Sequence, residues 1–363
     1  MNDTGGGGKI GLASAPWAMH EFFAGSGLVA YGLRGAFRPA WANDVCPKKA
    51  FVYRSNFAAD HFVLCDIKDV SGGSLPCADL SWASFPCQDL SLAGAMRGID
   101  AKRSGLVWEF VRVLGEMPRK PGLLLLENVA GLLSAAGGAH YGKLHRTLAG
   151  MGYRCGAIVV DAARFVPQSR PRVFVIAVRK EVPIPGELLD GGRNWLHNNA
   201  AAKIGNEIEG WIWWKAREPA PRTSSISDIL DLSLPYDKDH VLSIIPPAHW
   251  EKLNQHKNAI ATGYRRTRRG KQCLELRFDG VAGCLRTPRG GSSKQFIVVK
   301  TGRKIRARIV SSREVARLMG APDTYKLPGS CNDAYNAMGD AVVMPVASFI
   351  CHAFLTKLAE AAR

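Results

Sequence analysis

Cys87, in the stretch SFPCQDLS (Ser84 to Ser91), follows an apolar run and stands between a proline and an amide. Pro86 fixes the backbone ahead of it, so the thiol is expected to project from a strand end into a crevice and not into a core. Displayed there, its thiolate is a nucleophile. The partner with complementary chemistry is Glu127 in LLLLENV, a carboxylate delivered by a very apolar strand. Desolvation there favours the protonated form, which suits the group to give a proton as well as take one. The other reading of Glu127 is a helix N-cap ahead of VAGLLSAA. PQSRPRVFV adds two fixed-charge forks, Arg170 and Arg172, before and within a strand, fit for a carbonyl or a phosphate.

Positioning these groups on one edge requires a regular scaffold, and the first half of the chain supplies its pattern. HEFFAG, PAWAND, HFVLCDI, ADLSWASF, GLLLLENV, CGAIVVDA and RVFVIAVR read as buried strands, apolar on both faces. SGLVWEFVRVLGEM and YGKLHRTLAGMGY between them carry helical spacing. Such alternation predicts an α/β fold, a doubly wound, mostly parallel sheet. Strand ends then acquire meaning. In FFAGSGL the segment Phe23, Gly25, Ser26, Gly27 lets backbone amides approach a ligand, Asp44 in WANDV ends the second strand and Asp66 in LCDI the third. Acidic groups there hold ribose hydroxyls, so three strand ends in order favour an adenosine-type cofactor.

After about Glu181 the rhythm is lost, and the next 120 or so residues are rich in Trp, Pro, Gly and Arg. The expected division is a flexible leader (1–16), the first part of an α/β domain (17–183), a smaller irregular domain (184–305) and a return to the first domain (306–363). Regular pattern resumes in SSREVARLMGAP, with Ser at its start and Gly320 at its end. The tryptophans of GWIWW (Trp211, Trp213 and Trp214) read as a small-domain core, with base stacking the alternative.

The net charge is +17, and Tyr264 to Arg308 holds fourteen basic residues against Glu275 and Asp279. Such a surplus implies a polyanionic partner, against the plain alternative of a solvated basic loop. Arg265, Arg266, Arg268 and Arg269 in YRRTRRGK, and Arg286, Arg289, Ser292 and Lys294 in RTPRGGSSK, are candidate nucleic-acid contacts. Nine cysteines show no CxxC pair and no zinc spacing, so no metal is expected and most are read as reduced core residues. The start MNDTGGGGKIGLASAPW lacks a basic flank followed by an apolar stretch, which is read as a cytoplasmic protein with no membrane contact.

In this order, FAGSG, FPCQ, ENV, QSRPR, REVARLMGAPDTY and MGDAV resemble the motif set of the DNA (cytosine-5)-methyltransferases of bacterial restriction-modification type, from about Met19 to Ile350. The resemblance implies a Rossmann-like S-adenosylmethionine-dependent domain and an inserted target-recognition domain in the basic region. It also implies methyl transfer to C5 of a flipped-out cytosine in a specific short duplex DNA sequence, with S-adenosylhomocysteine as product. Cys87 matches the nucleophile that adds to C6, Glu127 the proton donor at N3 and Arg172 the O2 contact, with Arg170 and Gln168 ordering the site around them. Phe23, Gly25, Ser26 and Gly27 match adenosyl and methionine contacts, Asp44 the ribose ligand beside Val45, and Asp66 and Ile67 the adenine edge and face. Pro86, Leu106 and Val342 match apolar walls.

Two positions depart from the pattern: Asp340 stands where most members have Asn, and Cys284 in CLRT where threonine is usual. A cognate restriction endonuclease acting on the same site is a companion the type allows. The alternatives are an RNA cytosine-5 methyltransferase, whose distinctive Cys-Phe-Thr tripeptide is not found here, and a catalytically silent DNA-binding relative, against which the intact Cys87, Glu127 and Arg172 set speaks.

Overall fold

A computed structural model describes residues 15–86, 105–236, 240–288 and 294–363. Cys87, Arg289 and Ser292 lie outside the described residues. The chain forms two compact units: one takes the residues up to Asp161, Pro171–Pro219 and Val346–Arg363, the other Ala162–Arg170 and Ala220–Pro345.

The first unit is built on seven strands: β1 (Trp17–Phe22), β2 (Phe37–Asp44), β3 (Phe62–Leu64), β4 (Leu80–Ala83), β5 (Leu123–Val129), β6 (Tyr153–Asp161) and β7 (Pro171–Arg179). Their order is β3-β2-β1-β4-β5-β7-β6. The first five pair in parallel, whereas β7 runs antiparallel to both β5 and β6. All seven expected strands are present. The helices are α1 (Leu28–Leu33), α2 (Pro47–Asn56), α3 (Leu106–Glu116), α4 (Gly131–Ser134), α5 (Ala139–Gly150) and α6 (Asn199–Glu207). In α3 the residues at helical spacing, Val107, Phe110, Val113 and Leu114, are all buried, which is how an amphipathic stripe docks on a sheet. In β5 the leucines on both faces are buried, as layers above and below the sheet require.

The strand order reverses between β1 and β4, which makes the crevice beyond their carboxyl ends the switch point where α/β sheets bind ligands. Phe22, Ala83 and Leu126 lie in one row across β1, β4 and β5. Phe23, Ser84 to Pro86 and Glu127 therefore all lie toward the same edge of the sheet, Glu127 still within β5.

The second unit contains α7 (Ile226–Ile229), α8 (His240–Ser243), α9 (Pro247–Asn254), β8 (Asn258–Arg268), β9 (Lys271–Arg277), β10 (Gln295–Thr301), β11 (Lys304–Ile309), α10 (Ser312–Leu318) and α11 (Cys331–Gly339). Its strands form an antiparallel sheet in the order β11-β10-β8-β9. A core of Leu253, Ala261, Leu274, Leu276, Phe296, Val298 and Ala307 lies on one face. This corrects the expectation of an irregular domain. In β8, β9 and β11 the core residues alternate with polar ones such as Thr262, Arg266, Glu275, Arg306 and Arg308, and only β10 carries a continuous apolar run, Phe296 to Val299.

The expected boundaries at 183/184 and 305/306 also differ from those of the compact units. Residues up to Pro219 cluster with the first unit and 306–345 with the second. Trp211 and Trp214 are buried, as a core reading requires, but Trp211 and its neighbour Trp213 pack on the core of the first unit. Of the eight described cysteines only Cys155 and Cys351 are buried, so the reading of most cysteines as core residues fails. The chain ends in α12 (Met344–Ile350) and α13 (Thr356–Ala361). Cys331–Ala361 is apolar enough by length and composition for a membrane span, but half of that window is buried inside the protein.

Candidate active site

The antiparallel pairing of β5 with β7 sets Glu127 opposite Phe174 and Val129 opposite Arg172. Glu127 and Arg172 thus share a face as diagonal neighbours, within reach of long side chains. Arg172 Nε lies 3.2 Å from Glu127 Oε1, with the side chains 15% and 8% exposed. Each charge compensates the other where little water is left to do so. Arg172 also donates to the Pro171 carbonyl.

Asn128, between Glu127 and Val129, was not singled out in the sequence. Its Nδ2 donates to the Phe85 carbonyl at 3.0 Å, and its Oδ1 accepts the Val129 N–H. That bond ties the end of β5 to the segment leading into Pro86. The signal was in the sequence, since a buried amide at the end of an apolar strand must find hydrogen-bond partners.

The first strand leads into a tight turn. Phe23 and Gly25 both have φ of 58°, and Gly27 has φ of 88°. A Cβ on Gly27 would lie 2.5 Å from the Phe57 ring and 2.9 Å from Tyr53, so glycine is required there. Asp44 holds the turn. Its Oδ2 accepts the Gly25 N–H at 2.9 Å and its Oδ1 the Cys46 N–H at 2.8 Å. Ser26 is fully buried, Val45 is 64% exposed and Phe23 and Leu106 are half-buried. Asp66 caps a short 3-10 turn by accepting the Lys68 N–H.

Four further candidates are buried. Ile67, expected as an adenine face, is 2% exposed and packed in the core, and Val342 is 3% exposed; protein atoms already cover both side chains. Gln168 and Arg170, grouped with the catalytic residues, are buried in the second unit. Gln168 Nε2 donates to the Leu318 carbonyl and its Oε1 accepts the Leu285 N–H. Arg170 donates to the carbonyls of Leu285, Gly339 and Ala341 and reaches Cys284 Sγ at 3.4 Å. Both precede β7 and turn donors to backbone carbonyls. Asp340 is exposed at the C-terminus of α11.

A further buried acid stands behind the glycine turn. Glu21 in β1 is 1% exposed, and its carboxyl is pushed up to about 8, chiefly by burial. Tyr53 Oη lies 3.5 Å from it and 3.0 Å from His61 Nε2.

The basic candidates divide by environment. Arg266 lies over the Tyr264 ring, Arg268 pairs with Glu275 and Lys294 lies over the Tyr335 ring. Arg265 is half-buried, and Arg269 and Arg286 are exposed.

Residues 17–355 match the family model of the C-5 cytosine-specific DNA methylases. The chain belongs to this family. Type II methyltransferase M.Bsp6I of Bacillus sp. (strain RFL6) is 26% identical over 332 residues, covering 90% of this chain and 94% of the relative. M.HhaI of Haemophilus parahaemolyticus is 26% identical over 297 residues, 79% of each chain. Among solved structures, a Spodoptera frugiperda DNMT2 mutant has a TM-score of 0.63 at 15% identity, over 94% of this chain and 99% of that one. At that identity it shows the fold alone, a Rossmann-like methyltransferase fold.

As a C-5 cytosine-specific DNA methylase, the chain methylates cytosine in DNA at C5 and uses S-adenosylmethionine. The residues present fit such a cofactor. A glycine turn offers backbone without Cβ, Asp44 keeps a lone pair on each oxygen beyond the bonds described, and the exposed Val45 beside it offers an apolar face.

Proposed function

We propose that this methylase modifies one cytosine within a short specific duplex DNA sequence, through a transient bond between Cys87 and C6 of a base swung out of the helix. The reading is carried by the Glu127–Arg172 pair, delivered to the same sheet edge as the Phe85–Pro86 segment that leads into Cys87. Cytosine C5 is a poor nucleophile, so the thiolate adds to C6 and the displaced electron pair passes into the ring. Glu127 supplies the proton that N3 then takes up, and Arg172 donates to O2. S-adenosylmethionine, when bound, supplies an electrophilic methyl group. Phe23, Gly25 and Gly27 hold its methionine end and adenosyl group, Asp44 its ribose and Asp66 its adenine edge. Loss of the C5 proton expels Cys87 and restores the aromatic ring, and S-adenosylhomocysteine leaves. The target carbon is inaccessible in a stacked duplex, which is why the base must be extruded. Arg265, Arg266, Arg268, Arg269, Arg286, Arg289, Ser292 and Lys294 serve as the DNA contacts of the basic unit. A cognate endonuclease would share the recognised site without touching this chain, and both would act on cytoplasmic DNA.

Incubation with labelled cofactor and either duplex DNA or tRNA tests the substrate, and bisulfite sequencing of DNA from an expressing host locates the modified cytosine. A duplex carrying 5-fluorocytosine at that position should trap a covalent adduct with the protein but not with Cys87→Ser, which should still bind DNA. Equal adduct formation by the variant excludes the nucleophile assignment, and label in tRNA alone excludes the DNA reading.

A further inference from the structure

Arg268 pairs with Lys271 across the β8–β9 ladder, so the ribbon turns on only two residues, Arg269 and Gly270. Both have positive φ, 49° and 78°. This is the mirror-image turn whose twist suits hairpins, and it is normally filled by Asn-Gly or Gly-Gly. Arginine has a Cβ that crowds in this conformation and no short polar group to bond the local backbone. A long cation is therefore held at a position its own backbone disfavours. Two neighbouring cations of the ribbon are engaged. Arg268 Nε lies 2.6 Å from Glu275 Oε1, and the Arg266 guanidinium lies 5.0 Å from the Tyr264 ring centroid. Arg269 is exposed and makes no ion pair among the described residues.

We propose that Arg269 is a specificity-determining residue that reads a guanine edge from the tip of the β8–β9 ribbon, with Arg268 positioned by Glu275 behind it. The proposal rests on the DNA reading above and narrows it to one contact. A two-stranded ribbon fits the major groove, and the arginine fork matches the paired N7 and O6 acceptors of guanine. A phosphate contact needs no such placement, because a flexible cation on any exposed strand position would serve. Residues kept in disfavoured backbone conformations gather where function requires them. Phe23, with φ of 58° in the candidate cofactor turn, follows the same pattern.

The test uses the full chain once bisulfite sequencing has given the target. Melting temperature and affinity are measured for wild type, Arg269→Gly and Arg269→Lys. The probes are the target duplex, an unrelated duplex, and target duplexes with each guanine in turn replaced by 7-deazaguanine. Arg269→Gly should melt at or above wild type, bind the target about 10- to 100-fold more weakly and bind the unrelated duplex within about threefold of wild type. It should also become indifferent to one 7-deazaguanine that weakens wild type. Arg269→Lys should keep the unrelated-duplex affinity and lose discrimination. Equal losses on both duplexes would make Arg269 a phosphate contact, no loss would make it a bystander, and a fall in melting temperature would make it a structural residue. Each outcome overturns the proposal. A wild type that prefers no duplex would instead sink the DNA reading itself.

Discussion

Glu127 and Arg172 meet diagonally across the β5–β7 ladder, Nε to Oε1 at 3.2 Å, although 45 positions separate them in the chain. Glu127→Gln keeps the shape and removes the proton donor, so methyl transfer should fall about 10²- to 10⁴-fold. It also leaves a largely buried guanidinium uncompensated, at a cost of about 3 kcal/mol. Replacing both residues by apolar ones, Glu127→Leu with Arg172→Met, should restore much of that stability and none of the activity. Urea melts beside single-turnover rates separate the two effects, and activity in the double variant would remove the assigned roles.

Asn128 ties the end of β5 to the segment that leads into Cys87. Asn128→Ala frees the Phe85 carbonyl and should cost about 1–3 kcal/mol of stability. It should also lower the rate of adduct formation with 5-fluorocytosine DNA more than it weakens duplex binding, because the displaced segment leads into Cys87. An unchanged ratio of the two would assign Asn128 a purely structural role.

Two buried groups set opposite limbs of the stability profile. Glu21, pushed from 4.5 up to about 8, binds its proton more tightly when folded, so its contribution is full below pH 4.5 and is lost as pH rises through 8. His197, pushed from 6.5 down to about 4 by burial, contributes fully above pH 6.5 and loses that contribution as pH falls through 4. The shifts correspond to about 5 kcal/mol for Glu21 and about 3 kcal/mol for His197 across their windows. Glu21→Gln should flatten the alkaline limb of the melting temperature and His197→Asn the acid limb. A variant curve parallel to wild type would discard the corresponding group.

The glycine of MGDAV has a steric cause. A Cβ on Gly339 would lie 2.6 Å from the carbonyl carbon of Arg286 and 2.7 Å from the Thr287 nitrogen, both backbone atoms that cannot rotate away. Gly339→Ala should destabilise the second unit by about 1–3 kcal/mol and expose the 286–287 segment to faster amide exchange. Unaltered exchange there would mean that the contact yields without cost.

Much of the scaffold was legible because its signals are local. LLLLENV is apolar on both faces, and the glycines of FAGSG announce a turn with positive φ at both, where a side chain on Gly27 would also be obstructed. Helix α10 showed its start in Ser311, whose hydroxyl accepts the Glu314 N–H, because a cap is chemistry over three residues. The second sheet was not legible. Three of its strands alternate core residues with polar ones, and its hairpin turns on Arg-Gly, a pair with a weak turn signal.

The sequence by itself determined which groups exist, a thiol after a proline, a carboxylate on an apolar strand and two arginines two residues apart, along with the alternation that brings strand ends to one edge. The tertiary structure alone decided how they are used. QSRPR does not disclose that Arg170 turns to the carbonyls of Leu285, Gly339 and Ala341 while Arg172 turns to Glu127. That division depends on where β7 begins and on its antiparallel register with β5, both set by pairing between distant segments. Local chemistry is written in neighbours along the chain, whereas a charge's partner depends on which strands the packed sheet places side by side.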